Sequence, residues 1–137
     1  MALLDVNAMV ALAWDSHVHH HSIQEWFLEN AEIGWQTTPI TESGFVRVSS
    51  NPRVLPVAID FASAKQALVE LRKVGRHQLL TDGVSITDPD FPAVHGYRQI
   101  TDAHLLTIAR RNSLPLLTFD SGIASLAKSN EVILLTA

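Results

Sequence analysis

Apolar residues fall into two alternating patterns along the chain, short continuous runs and longer stretches in which apolar positions recur with helical spacing. The continuous runs predict buried strands at residues 2–4, 33–37, 78–80, 115–119 and 132–135. The stretches with helical spacing predict helices at residues 6–14, around 23–27, and at 39–50, 61–74, 101–112 and 123–128. Strands that are apolar throughout and alternate with helices are typical of a parallel sheet covered on both faces. We therefore predict an α/β fold, a single domain over residues 1–137 with a central, mostly parallel sheet and helices on both faces.

The composition limits which classes of protein the chain can be. Its 137 residues suit one domain, and 47% apolar against 18% charged residues indicates a globular chain. The absence of cysteine excludes disulfides and thiolate metal sites and favours a reducing, cytoplasmic compartment. No apolar run approaches the ~20 residues that span a bilayer, so we expect no membrane association. The net charge of −4 argues against a strongly basic nucleic-acid binder but not against a nuclease, because acids that hold metal lower the charge themselves.

Four acidic residues stand where a predicted strand ends or a predicted helix begins: Asp5, Glu42, Asp102 and Asp120. The carboxyl ends of the strands in an open α/β sheet form the crevice where ligands bind. Carboxylates gathered there repel one another unless a hard cation such as Mg²⁺ or Mn²⁺ lies between them. The pattern therefore predicts a metal-dependent enzyme whose substrate carries phosphate.

The first two acids each have a structural alternative. Asp5 precedes an apolar helix, so it can be the N-cap of that helix instead of a metal ligand. Glu42 lies on the same helical stripe as Phe45 and Val46, where an unpaired carboxylate is costly. Its alternative role is an ion pair with a neighbouring arginine such as Arg47.

The other two acids also have alternatives. Asp102 lies on the inward stripe of its helix, but Thr101 can cap that helix and leave Asp102 as a surface charge near the positive helix end. Asp120 can form a turn or a cap with the residues that follow it. Thr118 points to the same face of the sheet as Asp120, which allows its hydroxyl to bond a site carboxylate or a water.

Other polar residues invite weaker hypotheses. The histidines at positions 17, 19, 20 and 21 suggest a zinc site, but they lack an obvious set of partner ligands, and a solvated helix start is favoured. Arg47 and Arg98 lie near two of the acids in sequence and can steer a phosphate backbone, with surface solubility as the alternative. Residues 81–96, which include Asp82, form the one sizeable loop.

The four acidic segments, residues 3–7, 41–47, 101–105 and 117–120, resemble in order and spacing the motifs of PIN-domain ribonucleases. The resemblance covers essentially the whole chain and is strongest to the toxins of VapBC-type toxin–antitoxin pairs. It implies a doubly wound sheet with the acids at one edge and Mg²⁺- or Mn²⁺-dependent endonucleolytic cleavage of RNA. It also implies a homodimer and inhibition by a cognate antitoxin.

The resemblance assigns roles residue by residue. It makes the four acids, Asp5, Glu42, Asp102 and Asp120, the catalytic metal ligands, and it makes Asn7 and Thr118 supporting polar groups. A divalent ion held by carboxylates activates a water on a phosphodiester, so no Ser, Cys or Lys nucleophile is needed. The loop at 81–96 matches none of the motifs.

Three rival functions remain to be weighed. A phospho-receiver domain needs two adjacent acids after the first strand and a lysine after a late strand, but all three lysines lie in predicted helices. A dehalogenase-type phosphatase needs an acid where this chain has Asn7. A non-catalytic α/β binding module, whose acids only cap helices, is the main alternative, and metal titration separates it because caps do not bind Mn²⁺ tightly.

Overall fold

The computed structural model describes residues 1–55, 59–81 and 83–136. Asp82, which we assigned to the 81–96 loop, lies outside the described residues. Within these ranges, five strands form one sheet in the order β3-β2-β1-β4-β5. They are β1 (Leu3–Leu4), β2 (Trp35–Thr37), β3 (His77–Leu79), β4 (Leu116–Thr118) and β5 (Val132–Leu134). Every neighbouring pair is parallel, which confirms the predicted α/β sheet.

The helices follow the predicted order along the chain. They are α1 (Val6–Ala13), α2 (His20–Asn30), α3 (Pro39–Ser49), α4 (Phe61–Leu71), α5 (Ile100–Arg111) and α6 (Ser121–Ala124), with a 3₁₀ turn at Tyr97–Gln99. Within the described part of the chain, none of the helices combines the length and the apolar character that crossing a bilayer requires.

Several predicted boundaries were wrong by a few residues; β2, for example, begins at Trp35 and not at residue 33. The helix predicted at 61–74 ends at Leu71, and the one predicted at 123–128 is replaced by the shorter α6. In both places the chain continues in tight turns whose N–H groups bond three residues back, a common way to finish a helix. Strand β3 is one residue earlier than predicted because Trp35 pairs with His77.

The sheet separates two apolar layers. Along β1, Leu4 packs with α1, α2 and α3 on one face, and Leu3 packs with α5 on the other. Leu117 and Leu116 of β4 divide between the same two layers. Successive side chains of a strand point to opposite faces, so a strand covered on both sides is mostly apolar. This packing explains the continuous apolar runs and confirms helices on both faces.

Gly75 joins α4 to β3 in a conformation that other residues rarely adopt, with φ of +62°. A Cβ there would lie 2.4 Å from the carbonyl oxygen of Ala31, which accepts a hydrogen bond from the Arg76 N–H at 2.8 Å. We expect Gly75→Ala to lower the free energy of unfolding by about 2–4 kcal/mol, measured by urea denaturation. Gly96→Ala is the control, because a Cβ at Gly96 meets nothing within 4 Å. Equal stability of the two variants would contradict this account.

Candidate active site

Three of the predicted acids meet at the carboxyl edge of the sheet. Strands β1 and β4 are neighbours, so Asp5 and Asp120, which follow them, emerge side by side. Asp102 reaches the same place from the first turn of α5. Burial raises the pKa of Asp102 to about 6, and the negative charge of Asp120 adds to the rise. Acids that perturb one another in this way are frequent in functional sites.

Asp5, Asp102 and Asp120 form what we call the acid group, and Asp5 is also the N-cap of α1. One carboxylate oxygen, Oδ1, accepts a hydrogen bond from the Ala8 N–H at 2.7 Å, and the other accepts one from the Thr118 hydroxyl at 2.5 Å. Burial raises the pKa of Asp5 to about 6 against the lowering effect of these two bonds, and the charges of Asp102 and Asp120 raise it as well. Asp5 can therefore cap α1 and bind a ligand at the same time, since each carboxylate oxygen keeps a lone pair.

Thr118 holds the ends of β1 and β4 in register. Its buried hydroxyl donates to Asp5 Oδ2 and accepts a hydrogen bond from the Asp120 N–H at 3.0 Å. The hydrogen bond that we predicted from Thr118 to a site carboxylate is thus present. It favours the ionised form of Asp5, the form that binds a cation.

Replacing Thr118 with valine keeps the shape of the side chain but removes this hydrogen bond. We expect Thr118→Val to raise the pKa of Asp5 above about 6 by roughly one to two pH units, measured by carboxyl NMR titration. Thr107→Val is the matched control, because Thr107 is equally buried but donates to the Ala103 carbonyl within α5. An unchanged Asp5 pKa in Thr118→Val would show that the hydroxyl does not tune the acid.

Asp102 has no structural partner that explains its position. Helix α5 begins at Ile100, so the alternative in which Thr101 caps it is wrong, and Thr101 is exposed. Asp102 is half-buried, and among the described residues its carboxylate forms neither an ion pair nor a hydrogen bond. A carboxylate in this environment is costly unless a ligand compensates it.

Asp120 has the structural role that we considered as its alternative. It is exposed and caps α6, with Oδ1 accepting a hydrogen bond from the Gly122 N–H at 2.8 Å. Its charge nevertheless acts on both Asp5 and Asp102. Asn7, also exposed, lines the same groove as Asp120.

Glu42 lies beside the end of β2, in a separate set of polar groups. Its carboxylate accepts a hydrogen bond from the Thr37 hydroxyl at 2.6 Å and pairs with Arg72, the C-cap residue of α4, at 3.3 Å. The Thr37 oxygen lies 2.7 Å from Nε2 of His77. Because the Thr37 hydroxyl donates to Glu42, His77 donates to that oxygen whenever Nε2 carries a proton. The proposed ion pair with Arg47 is wrong, since Arg72 is the partner. Glu42 is not among the charges that raise the pKa of Asp5 or Asp102.

The two arginines that we singled out lie outside the acid group. Arg47 is exposed on α3 and lines a groove with Glu42. Arg98 is exposed next to α5, with its guanidinium 5.8 Å from the ring centroid of Tyr97. Both are accessible to a large anionic ligand.

The chemistry of the acid group suits a hard divalent cation. Its donors are carboxylate oxygens, the ligands that Mg²⁺ prefers, and within the described ranges no basic side chain neutralises Asp5, Asp102 or Asp120. Across the same ranges, no three acid or histidine side chains are close enough to ligate one ion together. Mg²⁺ usually binds through one or two carboxylates and keeps several waters, so this group fits it.

The histidine run contributes to the same edge of the sheet, which the sequence did not predict. The His19 ring stacks on Phe119 with centroids 4.3 Å apart, and His17 lies 5.6 Å from His19. His20 instead bonds the Ala11 carbonyl. The segment before α2 packs against the end of β4, about one hundred residues later, and no local spacing rule reveals such a contact.

Comparison with known proteins agrees with this architecture. A family model described as the PIN domain matches residues 2–129. The chain is 62% identical over 128 residues to Ribonuclease VapC38 of Mycobacterium tuberculosis, covering 93% of this chain and 91% of that protein. It is 41% identical over 134 residues to Ribonuclease VapC39 of the same species, covering 96% of each. The chain therefore belongs to the PIN-domain family, within its VapC ribonuclease group, which confirms the resemblance.

A solved structure shows the same fold. The crystal structure of Mycobacterium tuberculosis VapC20, described as a toxin that cleaves the Sarcin-Ricin loop, superposes with a TM-score of 0.61. The match covers 91% of this chain and 94% of that one at 13% identity, so it supports the fold and not the substrate.

Proposed function

We propose that the chain is a metal-dependent endoribonuclease that hydrolyses RNA phosphodiester bonds as the toxin of a type II toxin–antitoxin pair. The observation that carries the proposal is the group of Asp5, Asp102 and Asp120, in which burial and mutual repulsion raise the pKa of two carboxyls to about 6. The VapC ribonucleases named above support the choice of RNA as substrate.

In this mechanism one or two carboxylates of the group Asp5, Asp102 and Asp120 would hold Mg²⁺ or Mn²⁺ together with bound waters. Glu42, at the end of β2, would be the fourth acid of the site. A divalent ion lowers the pKa of an attacking water and offsets charge on the leaving oxygen. The Ala8 N–H and the Thr118 hydroxyl orient the Asp5 carboxylate and favour its ionised form. The Thr37 hydroxyl orients Glu42 in the same way at the end of β2.

Arginine side chains outside the acid group have a separate role in the proposal. Arg47 and Arg98 are exposed and contact backbone phosphates of the RNA, which positions the substrate without reading its sequence. The acids then act on whichever phosphodiester the backbone contacts place beside them.

The protein partners belong to the same proposal. We expect a cognate antitoxin, a homodimer and a cytoplasmic location, as for a toxin of the VapBC type. A groove of about 580 Å³ between α3 and α4 supports a protein partner, because Val46 and Leu68 line it and Glu42 lies at its rim. A partner there would lie next to an acid of the site.

Incubation of a mixed pool of structured RNAs with the purified chain tests the proposed function. We expect cleavage with Mg²⁺ or Mn²⁺ and none with EDTA. The alternative, a non-catalytic binding module, is favoured by the caps that Asp5 and Asp120 form. That alternative predicts neither cleavage nor Mn²⁺ binding, and this pair of results would overturn the nuclease.

A further inference from the structure

A groove of about 500 Å³ opens directly beside the acid group. The segment before α2 forms one wall of the groove, and the end of β4 forms the opposite wall. The residues that line it are Asn7, His17, Val18, His19, Phe119, Asp120 and Ser121. Because Asp120 belongs to both the groove and the acid group, a ligand that fills the groove lies next to the site of phosphodiester cleavage.

Aromatic rings follow one another along this groove. The rings of His19 and Phe119 are nearly parallel, with 11° between their planes, and His17 continues the row at 41° to His19. Every nucleobase has a flat π-face, and proteins that bind single-stranded nucleic acid stack bases on such rings. The acid group does not use these rings in holding a metal ion.

Hydrogen bonding assigns a donor to His19. Its Nδ1 is buried and has no partner among the described residues. A buried N–H without an acceptor is costly, which favours the neutral tautomer with the proton on Nε2. Nε2 also has no partner among the described residues and is not buried. His19 therefore offers an N–H donor as well as a ring.

We propose that this groove binds the nucleobase adjacent to the scissile phosphate, with His17 and His19 contacting the base. The amide of Asn7 supplies both a donor and an acceptor for the edge of the base. The inference rests on the proposed ribonuclease function and adds to it the position of the substrate. It also identifies two substrate-contacting residues that none of the acidic motifs contains.

The test compares two fluorescein-labelled dodecamers, a single-stranded RNA and an abasic strand with the same backbone. Binding is measured by fluorescence anisotropy in the Asp102→Asn background, which is expected not to cleave. We expect His19→Ala to weaken binding of the RNA roughly five- to hundred-fold and to leave binding of the abasic strand unchanged. His19→Phe, which keeps a ring, is expected to retain most of the RNA affinity.

His21→Ala is the matched control from the same histidine run. The His21 side chain is 84% exposed, pairs with Glu25 and does not line the groove. We expect it to alter binding of neither strand. Thermal melting of each variant checks that His19→Ala still folds. His17→Ala provides a second test, because the His17 ring lines the groove but is not stacked directly on Phe119.

The possible outcomes separate this inference from the proposed function. If His19→Ala and His17→Ala both bind the RNA as tightly as the parent protein, the proposal that the groove binds a nucleobase is overturned, even if the wild type cleaves RNA. This result is expected if the groove binds a protein ligand instead. Equal weakening for both strands would also overturn it, because the contact would then be to phosphate. Base-dependent binding by a wild-type chain that neither cleaves RNA nor binds Mn²⁺ would support the groove and contradict the proposed nuclease function.

Discussion

Asp102→Asn is expected to slow RNA cleavage by roughly a hundred- to thousand-fold or more while leaving the fold intact. The change removes one charge and alters the shape of the side chain very little. Asp102 caps no helix, and among the described residues it forms no ion pair, so the only structural use of its charge is its favourable position in the first turn of α5. Its half-buried carboxylate, with a pKa of about 6, therefore supports the proposal that Asp102 binds the metal ion.

The cleavage rate of Asp102→Asn is measured with saturating Mg²⁺, and its stability by thermal melting. Glu29→Gln on the exposed side of α2 is the control for removing one negative charge, and we expect it to cleave like the wild type. Wild-type cleavage by Asp102→Asn would remove Asp102 from the site. Loss of folding in that variant would instead assign it a structural role that its contacts do not suggest.

Asp5→Asn is expected to abolish cleavage and, without divalent ions at pH 7.5, to be more stable than the wild type. Asparagine is as good an N-cap as aspartate, so the bond from the Ala8 N–H is kept. What is lost is a buried negative charge that two neighbouring acids repel. The hydrogen bond from the Thr118 hydroxyl is lost as well, because an amide NH₂ in place of Oδ2 cannot accept it, and this loss offsets part of the gain. We expect a gain of about 1–2 kcal/mol in the free energy of unfolding, within an upper limit of about 3 kcal/mol set by the pKa shift.

The same shift fixes how stability depends on pH. The pKa of Asp5 is 3.8 in the unfolded chain and about 6 in the folded protein, so the folded protein binds more protons between these values. Its contribution to stability is fully present below pH 3.8 and is lost as the pH rises through about 6. Asp5→Asn lacks this contribution, so its advantage over the wild type should shrink as the pH falls from 7.5 to 5.

Asp60→Asn is the matched control for the cap. Asp60 caps α4 through a hydrogen bond of 2.7 Å from the Ser63 N–H, the same length as in the Asp5 cap, but it is fully exposed. That bond lowers the pKa of Asp60, so its contribution has the opposite sign and is lost as the pH falls. If Asp5→Asn is less stable than the wild type at pH 7.5 and resembles Asp60→Asn, Asp5 is only a cap.

The fold was predictable because the relevant signals are local. Continuous apolar runs mark strands that are buried on both faces, and Leu3 and Leu4 each fill one of the two layers. The parallel arrangement then places the residues after each strand at one edge, which is why Asp5 and Asp120 were found in sequence. The order of the strands was not predicted, because it depends on pairing between distant segments.

The partners of the site residues were harder to predict for the same reason. Glu42 pairs with Arg72, thirty residues later, and not with nearby Arg47. The stacking of His19 on Phe119 joins segments about one hundred residues apart, so the sequence showed a histidine run but not its position beside the acids. Periodicity reports which face of an element is buried, whereas these contacts depend on how the elements pack.

The central claim is that the acids at the carboxyl edge of the sheet hold the ion used for RNA cleavage. Calorimetric titration of Mn²⁺ into the wild type and into Asp102→Asn at pH 7.5 tests it most directly. We predict that the wild type binds Mn²⁺, that the affinity falls as the pH is lowered through about 6, and that Asp102→Asn loses at least roughly ten-fold in affinity. Absence of Mn²⁺ binding by the wild type, or equal binding by both proteins, would contradict the account.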